Sequence, residues 1–362
     1  MTLLRSRSLM RGIFHHHHGS NDVAKNEGDI RRDLFVTCHS DSVVSLTDWD
    51  DDNSNDANYN SSNNDDAHLP PIIDDTTELE HARRIEIANS HGFTYDEEHG
   101  VQVILNALTP HEKKHLADDN MPLRHYRAEK GNLNEAIRKI KSTLKWREEF
   151  GVETIKRCFD SHDNDLPPDK QKELNHVADV IAHENETGKI YCRGYDKQGR
   201  AILYLTPGKE NSTDEWNNMR HLVYHLERAI ACTRRKSGRE KICIVIGYAG
   251  FKLSNSPPLS TVKHTLTILQ GHYPERMYRA YICDPPLVFR TFWSIIKHFV
   301  DPATLEKIAF CTGKEGKVLL ERDFDTSITE KQAGGTEKLS DFNSREFLFE
   351  TPFYCTFDET QE

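Results

Sequence analysis

Ile242-Cys243-Ile244-Val245-Ile246-Gly247 opens the longest apolar run of the chain, Ile242 to Phe251. Ten residues is about half of what a membrane-crossing helix needs. β-Branched residues crowded into so short a run read as a buried strand. Downstream, the patterning predicts a helix over 259–271, a strand over 279–283, a helix over 286–300 and a strand over 308–312. Upstream, a long helix is predicted from Asp214 to Lys236, with Met219, Leu222, Val223, Leu226 and Ile230 on one face. Before it, Ile190-Tyr191-Cys192 and Ala201-Ile202-Leu203-Tyr204-Leu205 flank Asp196-Lys197-Gln198-Gly199, which reads as a β-hairpin. Strands alternating with helices at this spacing imply a mostly parallel sheet with crossover helices, an α/β fold.

The N-terminal half reads as helical. Asn132 is suited to cap a helix to Phe150, with Glu135 at the third position and Gly151 to end it. Thr109-Pro110-His111-Glu112 fits a second helix start. Shorter helices are read over 102–108 and 76–90. The division is a polar acidic tail over 1–75, a helical lobe over 76–170, an α/β domain over 176–335 and an extension over 336–362. In that extension Phe347, Phe349, Phe353, Tyr354 and Phe357 are expected to pack back on the body.

The chain has 362 residues, a net charge of −11 and 36% hydrophobic residues. Fourteen acidic and six basic residues fall in the first 75, so about −8 of that charge lies in the tail. An Asp-, Asn- and Ser-rich stretch over 41–66 buries too little apolar surface to order itself. The nearly neutral remainder gives no support for nucleic-acid binding, and the acidic tail suits a basic protein partner. The Arg-bearing leader Met1–Phe14 is weakly like a mitochondrial transit peptide. His15-His16-His17-His18 follows it, and an unstructured tail is the simpler reading of both. The eight cysteines form no C-x-x-C pair, and Cys243, Cys283 and Cys311 sit in apolar runs as small core hydrophobes. A reducing, cytoplasmic setting fits, peripheral to membranes at most.

No nucleophile elbow, zincin motif, phosphate loop or dinucleotide fingerprint is present, so neither catalytic residues nor a metal site nor a cofactor is expected. The most informative segment is Leu287 to Val300. Its polar residues, at 290, 291, 294, 297 and 298, make one narrow stripe. Val288, Phe289, Phe292, Trp293, Ile295, Ile296, Phe299 and Val300 cover the rest. Periodicity alone fits a helix buried against the sheet. A face this wide also suits a helix that covers an apolar cavity and meets a membrane. Beside it stand Tyr273-Pro274-Glu275-Arg276 and Asp301-Pro302-Ala303-Thr304-Leu305-Glu306-Lys307. Capping and surface charge explain these residues, and so does a ligand site with Lys307 on a phosphate, Thr304 as hydroxyl donor and Glu275 as acceptor for ligand hydroxyls or as an ion-pair partner.

Three runs, Ile268 to Met277, Asp284 to Phe289 and Phe299 to Ile308, closely resemble the CRAL-TRIO family of fungal phosphatidylinositol/phosphatidylcholine transfer proteins. Leu123 to Lys130 with Trp146-Arg147 resembles the helical N-terminal lobe of that family, and Tyr195 to Tyr204 resembles its first hairpin. The resemblance covers roughly residues 110–330. It implies a lipid-sized apolar cavity closed by a mobile gate helix, residues 287–300. It also implies a phosphoinositide headgroup site at Glu275, Thr304 and Lys307, a phospholipid ligand (phosphatidylinositol foremost, a second lipid besides) and transient contact with membranes. The chain departs from the family at two places. Where the N-lobe often reads Arg-x-Arg-Lys, it has Arg127-Ala128-Glu129-Lys130, so a cationic partner is lost unless Arg127 or Lys130 compensates. Where the central strand usually ends in Asp, it has Gly247, which removes a carboxylate from beside the cavity and leaves the second ligand open. The resulting expectation is a lipid carrier; the second reading is a lipid-sensing regulatory scaffold.

Overall fold

The computed structural model describes residues 95–160, 166–248, 250–252, 254 and 257–359. The acidic stretch, the leader, the histidine tract, Cys38 and the helix read over 76–90 lie outside them.

The helical lobe comprises α1 (Tyr95–Ala107), α2 (Pro110–Lys113), α3 (Met121–Ala128), α4 (Leu133–Phe150) and α5 (Val152–Arg157). Thr109 and Glu112 close a reciprocal capping box at α2. Such a box satisfies two orphan amides at once. Asn132 caps α4 by accepting from the Glu135 amide, and Gly151 ends it at φ 73°, as its sequence dictates. Ile104, Leu108, Met121, Ala136, Ile140 and Leu144 form the lobe's core. A further helix, α6 (Pro168–Asn185), runs unbroken through residues 170–176, where the sequence places the junction between lobe and sheet domain. Its apolar positions are sparse, so periodicity does not announce it.

The sheet has five strands in the order β1 (Ile190–Tyr195), β2 (Ala201–Leu205), β3 (Ile242–Gly247), β4 (Met277–Cys283) and β5 (Ile308–Cys311). The β1–β2 pair is antiparallel and the other three are parallel. Parallel neighbours need long crossovers, and here α7 (Glu215–Ser237), α8 (Leu259–His272) and α9 (Phe289–Ile296) supply them. The helix expected over 286–300 is therefore shorter and tightens into a 3-10 turn at Lys297–Phe299. A four-residue helix, α10 (Pro302–Leu305), leads into β5, and α11 (Gly313–Asp323), unread in the sequence, follows it.

Side chains alternate across the strands. Leu203, Leu205, Ile242, Ile244, Ile246, Ala280 and Ile282 line a cavity on one face. On the other, Tyr204 and Tyr281 are fully buried, Tyr281 against Phe324 and Tyr204 beside Tyr191. The C-terminal extension does pack back on the body. Arg228 of α7 is fully buried and donates to the carbonyls of Phe347, Thr351, Pro352 and Cys355, with its guanidinium 3.6 Å from the Phe347 ring centre. The Phe357 amide donates to Cys192 O at 2.8 Å, covering part of the β1 edge. Phe347 and Phe357 are buried, whereas Phe349 and Tyr354 are exposed.

Two of the buried polar chains that join the lobe to the sheet domain start from α3. Asp118 accepts from Arg124 at 2.8 and 2.9 Å and from Arg276, and Arg124 also pairs with Glu240 at 2.7 Å. Burial pushes the Asp118 carboxyl up, but the hydrogen bond from Arg124 and the Arg124 and Arg276 charges outweigh it and hold it down to about 2. The second chain runs from His125 through the Thr143 hydroxyl to His272, whose ring stacks on Trp146 at 4.1 Å.

Burial holds His125 down to about 4 and both His225 and His272 to about 3. Folded values below the ordinary 6.5 mean that the unfolded chain binds more protons in acid. The stability tied to these rings is complete above about pH 6.5 and is lost as pH falls to about 4 for His125 and about 3 for His225 and His272, at up to about 1.4 kcal/mol per pH unit per ring. Acid unfolding followed by circular dichroism should therefore have its midpoint near pH 4–5. In His272→Gln, the slope of unfolding free energy against pH between 6 and 5 should fall by about one proton. An unchanged slope would show that His272 does not titrate on unfolding.

Candidate functional site

The cavity between the sheet and its crossover helices has a volume of about 660 Å³. Its floor is the apolar sheet face. Leu222 and Leu226 of α7 and Val262, Leu266 and Leu269 of α8 line it further, and Val288, Phe289, Phe292, Trp293, Ile296 and Val300 close it. Phe289 sits at the centre of an aromatic cluster with Tyr248, Phe292, Trp293 and Phe310, ring centres 4.9–6.2 Å away. The other two apolar residues expected on the gate face away: Ile295 is 47% exposed and Phe299 44% exposed, and neighbouring Leu287 reaches 80%. Thus α9 and its 3-10 extension present apolar side chains both to the cavity and to solvent. Asp284, at φ 45°, turns the chain out of β4 into Pro285-Pro286 ahead of this helix.

Three segments supply the charged lining: the end of α3 with Lys139 of α4, residues 274–276, and residues 301–307. Glu275 is held at φ 57°, a left-handed conformation that is costly for a side chain with a Cβ. Its carboxylate receives Lys241 Nζ at 2.5 Å and Lys307 Nζ at 3.3 Å. Burial pushes this carboxyl up, but the hydrogen bond and charge of Lys241, with the charge of Lys307, bring it below its ordinary value. Asp301 caps α10 by accepting from the Thr304 amide at 2.8 Å and from the Thr304 hydroxyl at 2.5 Å. The structure therefore brings Glu275, Thr304 and Lys307 to one cavity. Lys130 lines it too, also at positive φ (52°).

Arg127 does not join them. Its guanidinium turns to α1 and forms a two-pronged pair with Glu97 at 2.7 and 3.1 Å, and it is absent from the cavity wall. α3 turns so that positions 128–130 face the cavity and 127 does not. Lys139 stands there instead, 2.7 Å from Glu129, and both line the cavity. In sequence Lys139 is one of several basic residues on the polar side of α4, and nothing local sets it apart. Lys241 was equally unmarked.

Position 247 also differs from expectation. Residues 242, 244 and 246 face the cavity, so Gly247 faces away from it, toward Gln332. A Cβ there would lie 1.6 Å from Gln332 Oε1. A carboxylate at this position would enter the packed opposite face, so its loss does not strip the cavity wall of a charge. Gly247→Asp should cost about 1–3 kcal/mol through overpacking, and Gln332→Ala in the same chain should recover most of it. Urea unfolding of the parent and the two variants checks this; a Gly247→Asp chain as stable as the parent would refute the close approach.

Comparison with known proteins agrees with this architecture. The CRAL/TRIO domain model matches residues 185–335. The CRAL-TRIO domain-containing protein YKL091C of Saccharomyces cerevisiae is 30% identical over 268 residues, covering 70% of this chain and 82% of that protein. Phosphatidylinositol transfer protein PDR17 of the same yeast is 32% identical over 193 residues, 52% of this chain and 51% of that one. The CRAL-TRIO domain-containing protein C23B6.04c of Schizosaccharomyces pombe is 36% identical over 188 residues, 52% of this chain but 16% of that protein. The chain thus spans a small part of one of these relatives and about half of another. With its sheet, its cavity and these matches, the chain belongs to the CRAL-TRIO family.

Proposed function

We propose that this chain is a lipid carrier. It takes up a phospholipid, phosphatidylinositol, with the acyl chains in the apolar cavity, and exchanges it at membrane surfaces when α9 moves. The observation that carries the reading is the pairing of an apolar cavity with a charged lining behind a helix that is apolar on both sides. Exposing an acyl chain of ~16 carbons to water costs roughly 12 kcal/mol, so a carrier needs walls of bilayer-like apolarity. The outward Leu287, Ile295 and Phe299 would enter the membrane interface as the helix opens, and among the described residues no helix is long and apolar enough to cross it. The similarity to PDR17, a phosphatidylinositol transfer protein, supports the choice of lipid.

Lys307 would meet the phosphate, with Thr304 and Glu275 toward the inositol hydroxyls and Lys130 nearby. Lys139 takes the place of the cation that the N-lobe lacks, with Glu129 holding it in waiting. An incoming phosphate would compete with Glu129 for that ammonium. Charge-assisted hydrogen bonds contribute about 1.5–3 kcal/mol each.

Lys307→Ala should therefore lower phosphatidylinositol transfer between vesicles about tenfold or more, and Lys139→Ala should also lower it. Glu129→Gln should raise affinity severalfold by releasing Lys139. Mass spectrometry of lipid co-purified from a eukaryotic host gives the ligand directly. About one phosphatidylinositol per chain, lost in Lys307→Ala, is the expected result. Stoichiometric lipid of another class would overturn the headgroup assignment, and a folded protein without lipid would favour a regulatory scaffold.

A further inference from the structure

Within the helical lobe, His111 of α2, His115 in the turn after it and Glu148 of α4 converge on one point. His111 Nε2 lies 3.4 Å from one Glu148 carboxylate oxygen and His115 Nε2 lies 3.8 Å from the other. The two imidazoles are four residues apart on one helical turn, with ring centres 5.0 Å apart. Among the described residues this is the one group of three such side chains whose ligand atoms all fall within 4.8 Å of one another.

We propose that His111, His115 and Glu148 form a binding site for a divalent transition-metal ion of the zinc class. The distances suit a shared ion. Donor atoms bound at about 2.0–2.1 Å to one tetrahedral ion sit roughly 3.3–3.4 Å from each other. Both Nε2 atoms are already near that separation from the carboxylate, and small side-chain rotations supply the rest. Two imidazoles with one carboxylate suit zinc, copper or nickel, whereas calcium and magnesium demand more oxygens. Three protein ligands on an accessible face leave the fourth position to water.

The surroundings keep these donors available. Glu148 pairs with no lysine or arginine among the described residues; Lys145 lies 3.6 Å from Glu149, and Lys141 lies 3.9 Å from Glu112. Glu112 is itself held in the capping box of Thr109. The backbones that carry the donors are fixed by the lobe core, where Leu108 and Leu116 pack with Ile140 and Leu144. A bound ion would clamp α2 to the last turns of α4. The local sequence His111-Glu112-Lys113-Lys114-His115 shows only two histidines at helical spacing; the third ligand lies 33 positions on and arrives only by helix packing.

The test must separate this site from His15-His16-His17-His18, so the parent is the full chain with those four residues changed to Ala. Zn²⁺ titrated against a chelating dye should show one equivalent bound by the parent. His111→Ala and His115→Ala, each made in that parent, should bind at least tenfold more weakly, and Glu148→Gln severalfold more weakly. Zn²⁺ should raise the melting temperature of the parent and leave that of His115→Ala unmoved, with unchanged circular dichroism showing that the variants are folded. A parent that binds no zinc, or variants that bind it as tightly as the parent, would overturn the assignment.

Discussion

One face of the sheet sets the terms for the molecule. Leu203, Leu205, Ile242, Ile244, Ile246, Ala280 and Ile282 present a continuous apolar surface, and α7, α8 and α9 stand off from it instead of closing down on it. Apolar surface left facing water costs about 25 cal/mol per Å². Something must cover it, and the cover here is a short helix anchored by aromatic contacts around Phe289. That demand explains the composition of residues 287–300 better than helix stability does. An eight-residue helix with a 3-10 end has little intrinsic stability; its persistence depends on the cavity it faces.

The polar chemistry is arranged around the same cavity, and neighbouring residues divide the work. Within Tyr273-Pro274-Glu275-Arg276, Glu275 turns to Lys241 and to Lys307, which lines the cavity. Arg276 is buried and turns to Asp118 and the Glu240 carbonyl, fastening the helical lobe to the sheet domain. Tyr273 donates to Glu227, which also holds Arg147 at 2.7 Å. Removing one partner from such buried pairs strands the other and costs about 3–5 kcal/mol. A motif whose adjacent members serve the site and the scaffold ties the placement of the charged lining to the integrity of the lobe interface. Glu275 in a left-handed conformation is consistent with that tie: its carboxylate is held by Lys241 and Lys307, and the next residue, Arg276, by Asp118.

Legibility from the sequence varied with how local the determining interactions are. α4 was readable end to end because Asn132, Glu135 and Gly151 act within four residues of its ends. The hairpin was readable because Asp196 accepts from the Gln198 and Arg200 amides, and Gly199 takes φ 77°. α6 escaped because few of its residues are apolar; Val177 and Ile181 pack, and its end buries Glu184 and Asn185 instead. Of the polar and charged residues, Glu275, Thr304, Lys307 and Lys130 were identified and do line the cavity, while Arg127 was identified and does not. Lys139 and Lys241 were missed, since a lysine on a solvated helix face and one before a strand look alike in any sequence.

The amino-acid sequence by itself determined the α/β class, the order of the strands along the chain, the capped helices and the segment that shields the cavity. The first three follow from periodicity, turn chemistry or caps, whose interactions span a few residues, whereas the covering role of residues 287–300 came from the family resemblance and not from periodicity. Tertiary structure alone decided which charges share the cavity, that Gly247 faces Gln332 on the far side of the sheet, and that His111, His115 and Glu148 meet. Those outcomes depend on the rotation of α3 and α4 and on the pleat of β3. Such orientations are set by packing between segments far apart in the chain.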